Sequence, residues 1–538
     1  MKAMASHPMP QFSSPLSRPT RRSGRPRRAY IIALAGIILI GFSLRLAPIS
    51  RNRFHEDEAL YAYWGLQIAT GADPMLNRAP VDKPPLFLYL EALSFTIFGR
   101  SEVAARIPSL LASSAGIWLV GRLAERVYSR QTALVSALAL ALNPFDIAFA
   151  PTAFTDPLLV ALVMGALLAA SGRRWARAGV LAGLAFATKQ QGVLFLPLII
   201  GAGWLASPNA GDDHMMSISP PERSLARLRR AISAGWVRGA AGFIGPAAGA
   251  LIWDAFRVQR PGYLAQSIMS YGGLELAPWG ELGRRGAEWT DLIGLLIGSP
   301  LLGVLLALGL IVLLAGGRAD GWRAGALDQA ARFDRLFIAF IGGYLIVHWV
   351  FTFNIWDRYL LGLAPLIALL LGRILLLPGR WLGRVGRTAT FTALVGMLVV
   401  CAALGWPAAR AAGGGYPAGG DHGAYEGIDI LRIVMEEQIP PQSIVYQRWL
   451  GWHFSYYMYG MPHDFRWYRT DDELARQASE KGYAPQWVVF PEWRGRAGAE
   501  QALARVNLQL QEAFRIRRSD GSISFRVFAI TPAGSRGE

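Results

Sequence analysis

The chain has 538 residues, 53% of them hydrophobic and 17% charged, with a formal net charge of +17. That balance is too apolar for an ordinary soluble protein, and the basic residues fall in short segments between apolar runs, where they set membrane topology and give no reason to invoke nucleic acid. A single cysteine, Cys401, excludes an intrachain disulfide, a cysteine-rich metal site and a thiol pair for redox work.

Residues 1–29 are rich in Pro, Ser and Arg, carry no acid, and are expected to form a disordered basic tail on the cytoplasmic side. A bilayer span takes about 20 mostly apolar residues. On that measure there are about eleven spans, near 30–48, 107–121, 132–150, 155–171, 178–188, 192–206, 236–254, 290–315, 336–353, 358–376 and 388–406. The first has a basic flank but no small-residue cleavage site, and reads as an uncleaved helix. Alternation from a cytoplasmic N-terminus puts the arginine-rich segments 122–130, 173–177, 222–230, 318–335 and 373–387 inside, as the positive-inside rule requires. The loop 49–106, the turns near 151–156, 189 and 358, the loop 255–289 and the chain after 407 then lie outside the cell membrane. Pro84–Phe98 reads either as a membrane-surface helix or as part of a further span.

The first outer loop opens with His55, Glu56, Asp57 and Glu58. Adjacent carboxylates at a membrane boundary repel one another and are partly desolvated, so at least one is expected to have a raised pKa and to take a proton from a hydroxyl. The competing reading is a solvated acidic loop. Next, Asp82 and Lys83 precede a stiff Pro84-Pro85 pair, which suits either a phosphate site or a snorkelling lysine paired with Asp82 or a lipid headgroup. Thr155-Asp156-Pro157 and Thr188-Lys189-Gln190-Gln191 bring further ionisable groups to the same level, with helix capping by Asp156 as the competitor. The turn Trp356-Asp357-Arg358-Tyr359 offers a guanidinium fork to phosphate oxygens unless Arg358 pairs with Asp357. The spans themselves read as nearly charge-free, His348 and Asp254 excepted. The outer face thus combines carboxylates at 57, 58 and 156 with cations at 83, 189 and 358. Such a set can bind a leaving phosphate while a carboxylate activates the attacking group.

The tail is different material. Residues 407–423 read as a Gly-rich linker, and 424–538 as a small α/β domain on the extracytoplasmic side. Strands are expected at 443–447, 465–469, 486–491 and 522–530, and helices at 426–438, 471–479 and 498–506. The aromatic run from Trp449 to Tyr459 fits sugar stacking or the membrane interface as well as core and helix packing, and the last is the first reading; it is assigned no catalytic role.

The ordered series HEDEALYA (55–62), DKPPLFLYLEALSFTIFG (82–99), SEVAARIPSLLA (101–112), TDPLL (155–159), TKQQG (188–192) and DRYLLGLAP (357–365) resembles the membrane glycosyltransferases of the GT-C fold, a family 39-like group. These are related to protein O-mannosyltransferases and to lipid A aminoarabinose transferases. The resemblance covers roughly residues 30–376. It implies a polytopic α-helical GT-C domain over 30–406, a polyprenyl-phosphate-linked sugar donor, a hydroxyl acceptor on protein, lipid or glycan, and inversion at the anomeric carbon. By the same resemblance Asp57 is the catalytic base or acceptor-orienting group, with Glu58 beside it, and Asp156 supports the acceptor site. Lys83 and Lys189 contact the donor phosphate, and Arg358 with Tyr359 helps hold it. No metal ligand is identified, although the resemblance leaves room for a divalent cation. Two departures stand out: Asp82 replaces the Glu of the aminoarabinose enzymes, and Gly362 replaces the proline that follows Arg-Tyr-Leu-Leu, with Pro365 further on. The main alternative class is a polytopic secondary transporter, which is expected to show internal repeats and midplane charges.

Overall fold

The computed structural model describes residues 25–206, 221–258, 261–272, 275–324, 329–378, 387–481 and 485–534; the expected disordered segment up to residue 24 lies outside them. Helices dominate up to residue 412. They are α1 (Arg25–Leu46), α2 (Glu56–Ala69), α3 (Pro85–Phe98), α4 (Glu102–Val127), α5 (Arg130–Ala141), α6 (Pro144–Phe149), α7 (Asp156–Ser171) and α8 (Trp175–Thr188). There follow α9 (Leu196–Leu205), α10 (Pro221–Phe256), α11 (Tyr263–Tyr271), α12 (Trp279–Ile297), α13 (Pro300–Ala324), α14 (Gln329–Val350), α15 (Ala364–Leu375) and α16 (Arg387–Ala412). Short 3-10 turns, Gln190–Phe195 and Asp357–Leu363, lead into α9 and α15.

Among the described residues, six helical stretches are long and apolar enough to cross a membrane: Arg27–Leu46, Glu102–Val127, Gly235–Phe256, Gln329–Val350, Asp357–Leu375 and Ala389–Ala412. The other five of the expected eleven runs take a different form. The run 290–315 is a pair, α12 and α13, bent by 102°. Gly298, with φ +76°, ends α12 in a left-handed conformation, and Pro300 starts the next helix in a new direction. The run 132–150 breaks at Asn143, whose side chain accepts from the Asp146 N–H at 2.9 Å and so caps α6. The remaining three runs are the short helices α7, α8 and α9. At the start of the chain, residues 25–29 are helical, not part of a disordered tail, because arginines are good helix formers and extend the apolar helix by a turn.

The spans are also less free of charge than the sequence suggests. Buried Arg45 pairs with Asp146 and also bonds Ser113 and the carbonyls of Leu140 and Ala141. Arg373 pairs with Asp334 at 3.2 Å, and the Tyr128 hydroxyl donates to the same carboxylate at 2.6 Å. Each charge is matched where it is buried, as an apolar surround demands. His348 and Asp254 pack locally, through the Tyr344 carbonyl and through Arg257 respectively. Close approach fixes the α8–α10 pair: a Cβ at Gly179 would fall 1.9 Å from the Gly239 carbonyl oxygen, and one at Gly242 would fall 2.4 Å from that of Ala176.

Beyond α16 the chain folds into α17 (Ile428–Gln438), β1 (Ile444–Gln447), α18 (Gly451–Tyr457), β2 (Asp464–Trp467), α19 (Asp471–Ser479), β3 (Gln486–Pro491), α20 (Ala497–Ala504), β4 (Leu508–Arg517) and β5 (Ile523–Pro532). The sheet order is β2-β1-β3-β5-β4, parallel through the first three strands and antiparallel at β5 and β4. The expected strands and helices are present, while β4 and α18 were not anticipated. The supposed linker is firmly held. Helix α16 runs on to Ala412 through Pro407, and after it Gly419 N–H donates to Asp357 at 3.0 Å while the Tyr416 hydroxyl donates to the Leu295 carbonyl. One apolar cluster joins Phe54, Ala59 and Phe95 to Tyr425, Leu431 and Phe454, so the sheet domain is packed onto α2 and α3.

Candidate functional site

The acidic run forms the first turn of α2. His55 is the N-cap: its Nδ1 accepts from Asp57 N–H at 3.2 Å, and the Glu58 carboxylate returns to accept from His55 N–H at 2.9 Å. Helical geometry turns successive side chains by about 100°, so the three carboxylates face three different partners. Glu56, exposed, accepts from the Tyr425 hydroxyl of the sheet domain. Asp57 meets Nη1 of Arg358 at 2.5 Å. Glu58, fully buried, accepts from Ala153 N–H at 2.7 Å and pairs with Arg106 at 3.3 Å.

This separation overturns the expectation of mutual repulsion for Asp57. Burial works to push its carboxyl up, but Arg358 outweighs that, helped by His55 and Lys83, and holds Asp57 below the ordinary carboxylate value. Asp57 is therefore ionised and paired in this state.

Arg358 opens onto a cavity of about 330 Å³ whose wall also carries Lys83, Lys189, Gln190, Tyr271 and Tyr359. The loop before α3, the turn after α8 and the 3-10 turn before α15 bring these cations together. Each stands against a carboxylate: Lys83 with Asp82 at 2.7 Å, Lys189 with Asp156 at 2.7 Å, and Arg358 with Asp57. Aromatic faces support them, with Lys83 Nζ 4.4 Å from the Tyr271 centroid, Lys189 Nζ 5.2 Å from that of Tyr359, and the Arg358 guanidinium 4.3 Å from that of Trp356. Burial pulls the Lys83 ammonium below its ordinary value against the opposing pull of Asp82. The three cations and their carboxylate partners balance in charge beside the cavity, with an aromatic face against each cation.

Of the residues singled out from sequence, Asp57, Lys83, Asp156, Lys189, Arg358 and Tyr359 converge here, whereas Glu58 is engaged with Arg106 and the Ala153 backbone. Asp156 begins α7 but makes no cap hydrogen bond; it is bonded to Lys189, on the cationic side. Arg358 does not pair with Asp357, whose oxygens take the backbone N–H groups of Arg358 and Gly419. Sequence reasoning missed Tyr271, whose hydroxyl lies 2.8 Å from Lys83 Nζ, and Gln190, which reaches the Asp82 carbonyl at 3.3 Å. Tyr271 ends a helix inside an expected loop and carried no motif. Gln190 was visible beside Lys189, in a polar turn between apolar runs. Among the described residues, no group of three or more His, Cys, Asp or Glu side chains is arranged to hold a metal ion.

Residues 82–217 match the family model described as dolichyl-phosphate-mannose-protein mannosyltransferase. An 80-residue stretch is 32% identical to YycA of Bacillus subtilis (strain 168), provisionally named a mannosyltransferase; it spans 15% of this chain and only 12% of that protein. In three dimensions the chain resembles ArnT from Cupriavidus metallidurans in the apo state, with TM-score 0.58 and 15% identity over 94% of this chain and 98% of that one. ArnT bound to undecaprenyl phosphate gives TM-score 0.55 at 14% identity with the same coverage. The oligosaccharyltransferase AglB from Archaeoglobus fulgidus, in complex with an inhibitory peptide and a dolichol-phosphate, gives TM-score 0.50 at 13% identity over 94% of this chain and 74% of that one.

Proposed function

We propose that this chain, a membrane protein of the GT-C fold, is an inverting glycosyltransferase that moves a sugar from a polyprenyl phosphate to an acceptor hydroxyl at the extracytoplasmic face. The observation that carries the reading is the cavity walled by Lys83, Lys189 and Arg358, each cation already held by a carboxylate. The family match and the lipid-phosphate complexes of the structural neighbours support the same donor class.

In the step envisaged, the acceptor oxygen attacks the anomeric carbon from the face opposite the phosphate and its proton passes to the Asp57 carboxylate. The bond from anomeric carbon to phosphate oxygen breaks, and its electron pair leaves with the polyprenyl phosphate, whose growing charge meets the three cations. One displacement inverts the centre. A base held low by Arg358 is a weak base, which is a problem the donor itself solves. A phosphate entering the cavity competes with Asp57 for Arg358, and the freed carboxylate regains proton affinity when the electrophile is in place. Glu58 has a positioning role in this scheme, fixing the first turn of α2 through His55, Ala153 and Arg106.

The transporter alternative is less favoured because the cavity gathers its ionisable residues at the end of the helices where the sheet domain docks, while Arg45 and Arg373 within the helices are paired with Asp146 and Asp334. The deciding experiment incubates membranes containing the protein with radiolabelled polyprenyl-phosphate sugars and separates protein, lipid and polymer products. Transfer that disappears in Asp57→Asn supports the assignment. Near-normal transfer by that variant removes Asp57 as base, and uptake into proteoliposomes without any transfer overturns the enzymatic reading.

A further inference from the structure

A second cavity lies on the other side of the first turn of α2, and the chemistry above leaves it unused. It measures about 650 Å³, and its wall includes Glu56 of α2 with Gln447, Arg448, Trp452, Trp493 and Arg494 of the sheet domain. Trp449 and Trp467 complete a set of four tryptophans around one concavity. We propose that this cavity holds the carbohydrate of the acceptor, with Trp452 as the stacking platform and Glu56, Gln447 and Arg494 as partners for its hydroxyls.

Several observations carry this inference. Trp452, Trp467 and Trp493 keep 38%, 51% and 42% of their surface exposed although the sheet domain has an apolar core to receive such rings. Rings lining a concavity face a ligand, whereas rings serving as a bilayer belt face outward from the fold. Three of the four rings are braced. Trp467 Nε1–H donates to the Arg448 carbonyl at 2.9 Å, and the Arg494 guanidinium lies 5.4 Å from the Trp449 centroid and 5.0 Å from that of Trp493. A guanidinium placed against aromatic rings can still donate N–H groups in its own plane. A sugar ring has an apolar C–H face and a rim of hydroxyls, so one indole face with amide, carboxylate and guanidinium groups around it matches both parts.

Position supplies the functional argument. Glu56 lines this cavity and Asp57, the next residue, pairs with Arg358 of the cationic one, so a single helix turn carries a residue of each. The wall is tied to the same turn: Tyr425 bonds Glu56 and stacks on His453 with centroids 3.7 Å apart, and His453 Nε2 bonds the Phe54 carbonyl at 2.9 Å. The inference rests on the proposed transfer reaction and names its acceptor class as saccharide, whether free or carried on a lipid.

The test uses the full chain in nanodiscs without donor. Saturation-transfer NMR is run with α-1,6-mannotriose and N-acetylchitotriose in solution, and binding is also measured to nanodiscs carrying the same trisaccharides on a lipid anchor. The expected result is binding of at least one probe that weakens roughly fivefold or more in Trp452→Ala, is restored in Trp452→Phe, and also weakens in Arg494→Ala. Binding of the lipid-anchored form alone assigns the saccharide to a glycolipid, and binding of the soluble form assigns it to a glycan. Thermal unfolding of each variant is followed in parallel, and the Trp452→Phe rescue separates loss of the platform from loss of the fold. No binding by any probe, binding unaffected by both alanine variants, or quenching of Trp452 by brominated lipid tails overturns the inference. Failure of the transfer reaction shows up separately, as wild-type protein that binds saccharide yet transfers no sugar from any polyprenyl phosphate.

Discussion

Two arginine–carboxylate pairs begin at adjacent residues of one helix turn and end in different chemistry. Glu58 and Arg106 are closed on themselves: Glu58 is fully buried and also accepts backbone N–H groups, and Arg106 spends its remaining donors on the carbonyls of Ile49, Asn52 and Arg53. Asp57 and Arg358 make the same kind of bond at the edge of a cavity, with the guanidinium on an aromatic face and two lysines alongside. Four of the five Arg106 N–H groups are thus taken up inside the fold, whereas Arg358 stands on the wall of the cationic cavity. On the proposed reading, what separates a structural ion pair from a reactive one is the fate of the remaining donors, which a list of charged residues does not reveal.

The sharpest way to break this comparison is to neutralise each carboxylate in turn. Asp57→Asn should lower transfer by about 10²–10⁴-fold, as loss of a positioned base does, while the purified protein retains its wild-type elution and unfolding profile; a fall in activity matched by unfolding would make the pair structural. Glu58→Ala should do the reverse. It strands buried Arg106 and should cost about 3–5 kcal/mol of stability, seen as loss of folded protein in detergent before any kinetic constant can be read.

A smaller effect is expected at the lysines. Lys83→Met and Lys189→Met each remove one charge-assisted contact to phosphate, worth about 1.5–3 kcal/mol, so the KM for donor should rise by roughly 10–100-fold with less change in acceptor KM. Equal changes in both would argue against a donor-phosphate role. The smallest effect is a displacement along the pH axis. Because Arg358 depresses the Asp57 pKa, the carboxylate stays ionised at neutral pH, and the stabilisation from the pair is lost only as pH falls through that depressed value. In Arg358→Gln the carboxylate stays buried without the opposing guanidinium, so the acid limb of residual activity should move to higher pH. A limb that stays put would show that the limb reports some other group.

The sequence made much of this legible because polar turns between apolar runs advertise themselves. Lys83, Asp156, Lys189 and Arg358 each interrupt hydrophobic sequence, and each occupies the cavity or contacts its wall. Pairing was harder to see: nothing in the spacing shows that Asp57 meets a residue three hundred positions away, or that Glu58 turns to Arg106, since both follow from helix rotation and packing. Proximity in sequence therefore suggested repulsion where the helix supplies separation. Buried Arg45 and Asp146 escaped notice for a related reason: each lies within an apolar run, and only packing brings the two together. In the tail, β4 was missed because the alternation of Leu508, Leu510, Phe514 and Ile516 is broken by Glu512, beside a register shift, while α18 hid within an aromatic run that fits core, cavity wall and helix alike.

The fastening of the sheet domain to the membrane part sets an order of events during biosynthesis. The turn bearing Arg358 is latched by Gly419, and the turn bearing Asp57 is latched by Tyr425, His453 and Tyr457, all translated after the last long apolar helix. Until those residues have been delivered and have docked, Phe54 lacks these partners for its N–H and its carbonyl, and the first turn of α2 is held only from the membrane part, through Ala153, Arg106 and Arg358. The contacts that complete the surroundings of the proposed site are therefore made by the part of the chain synthesised last.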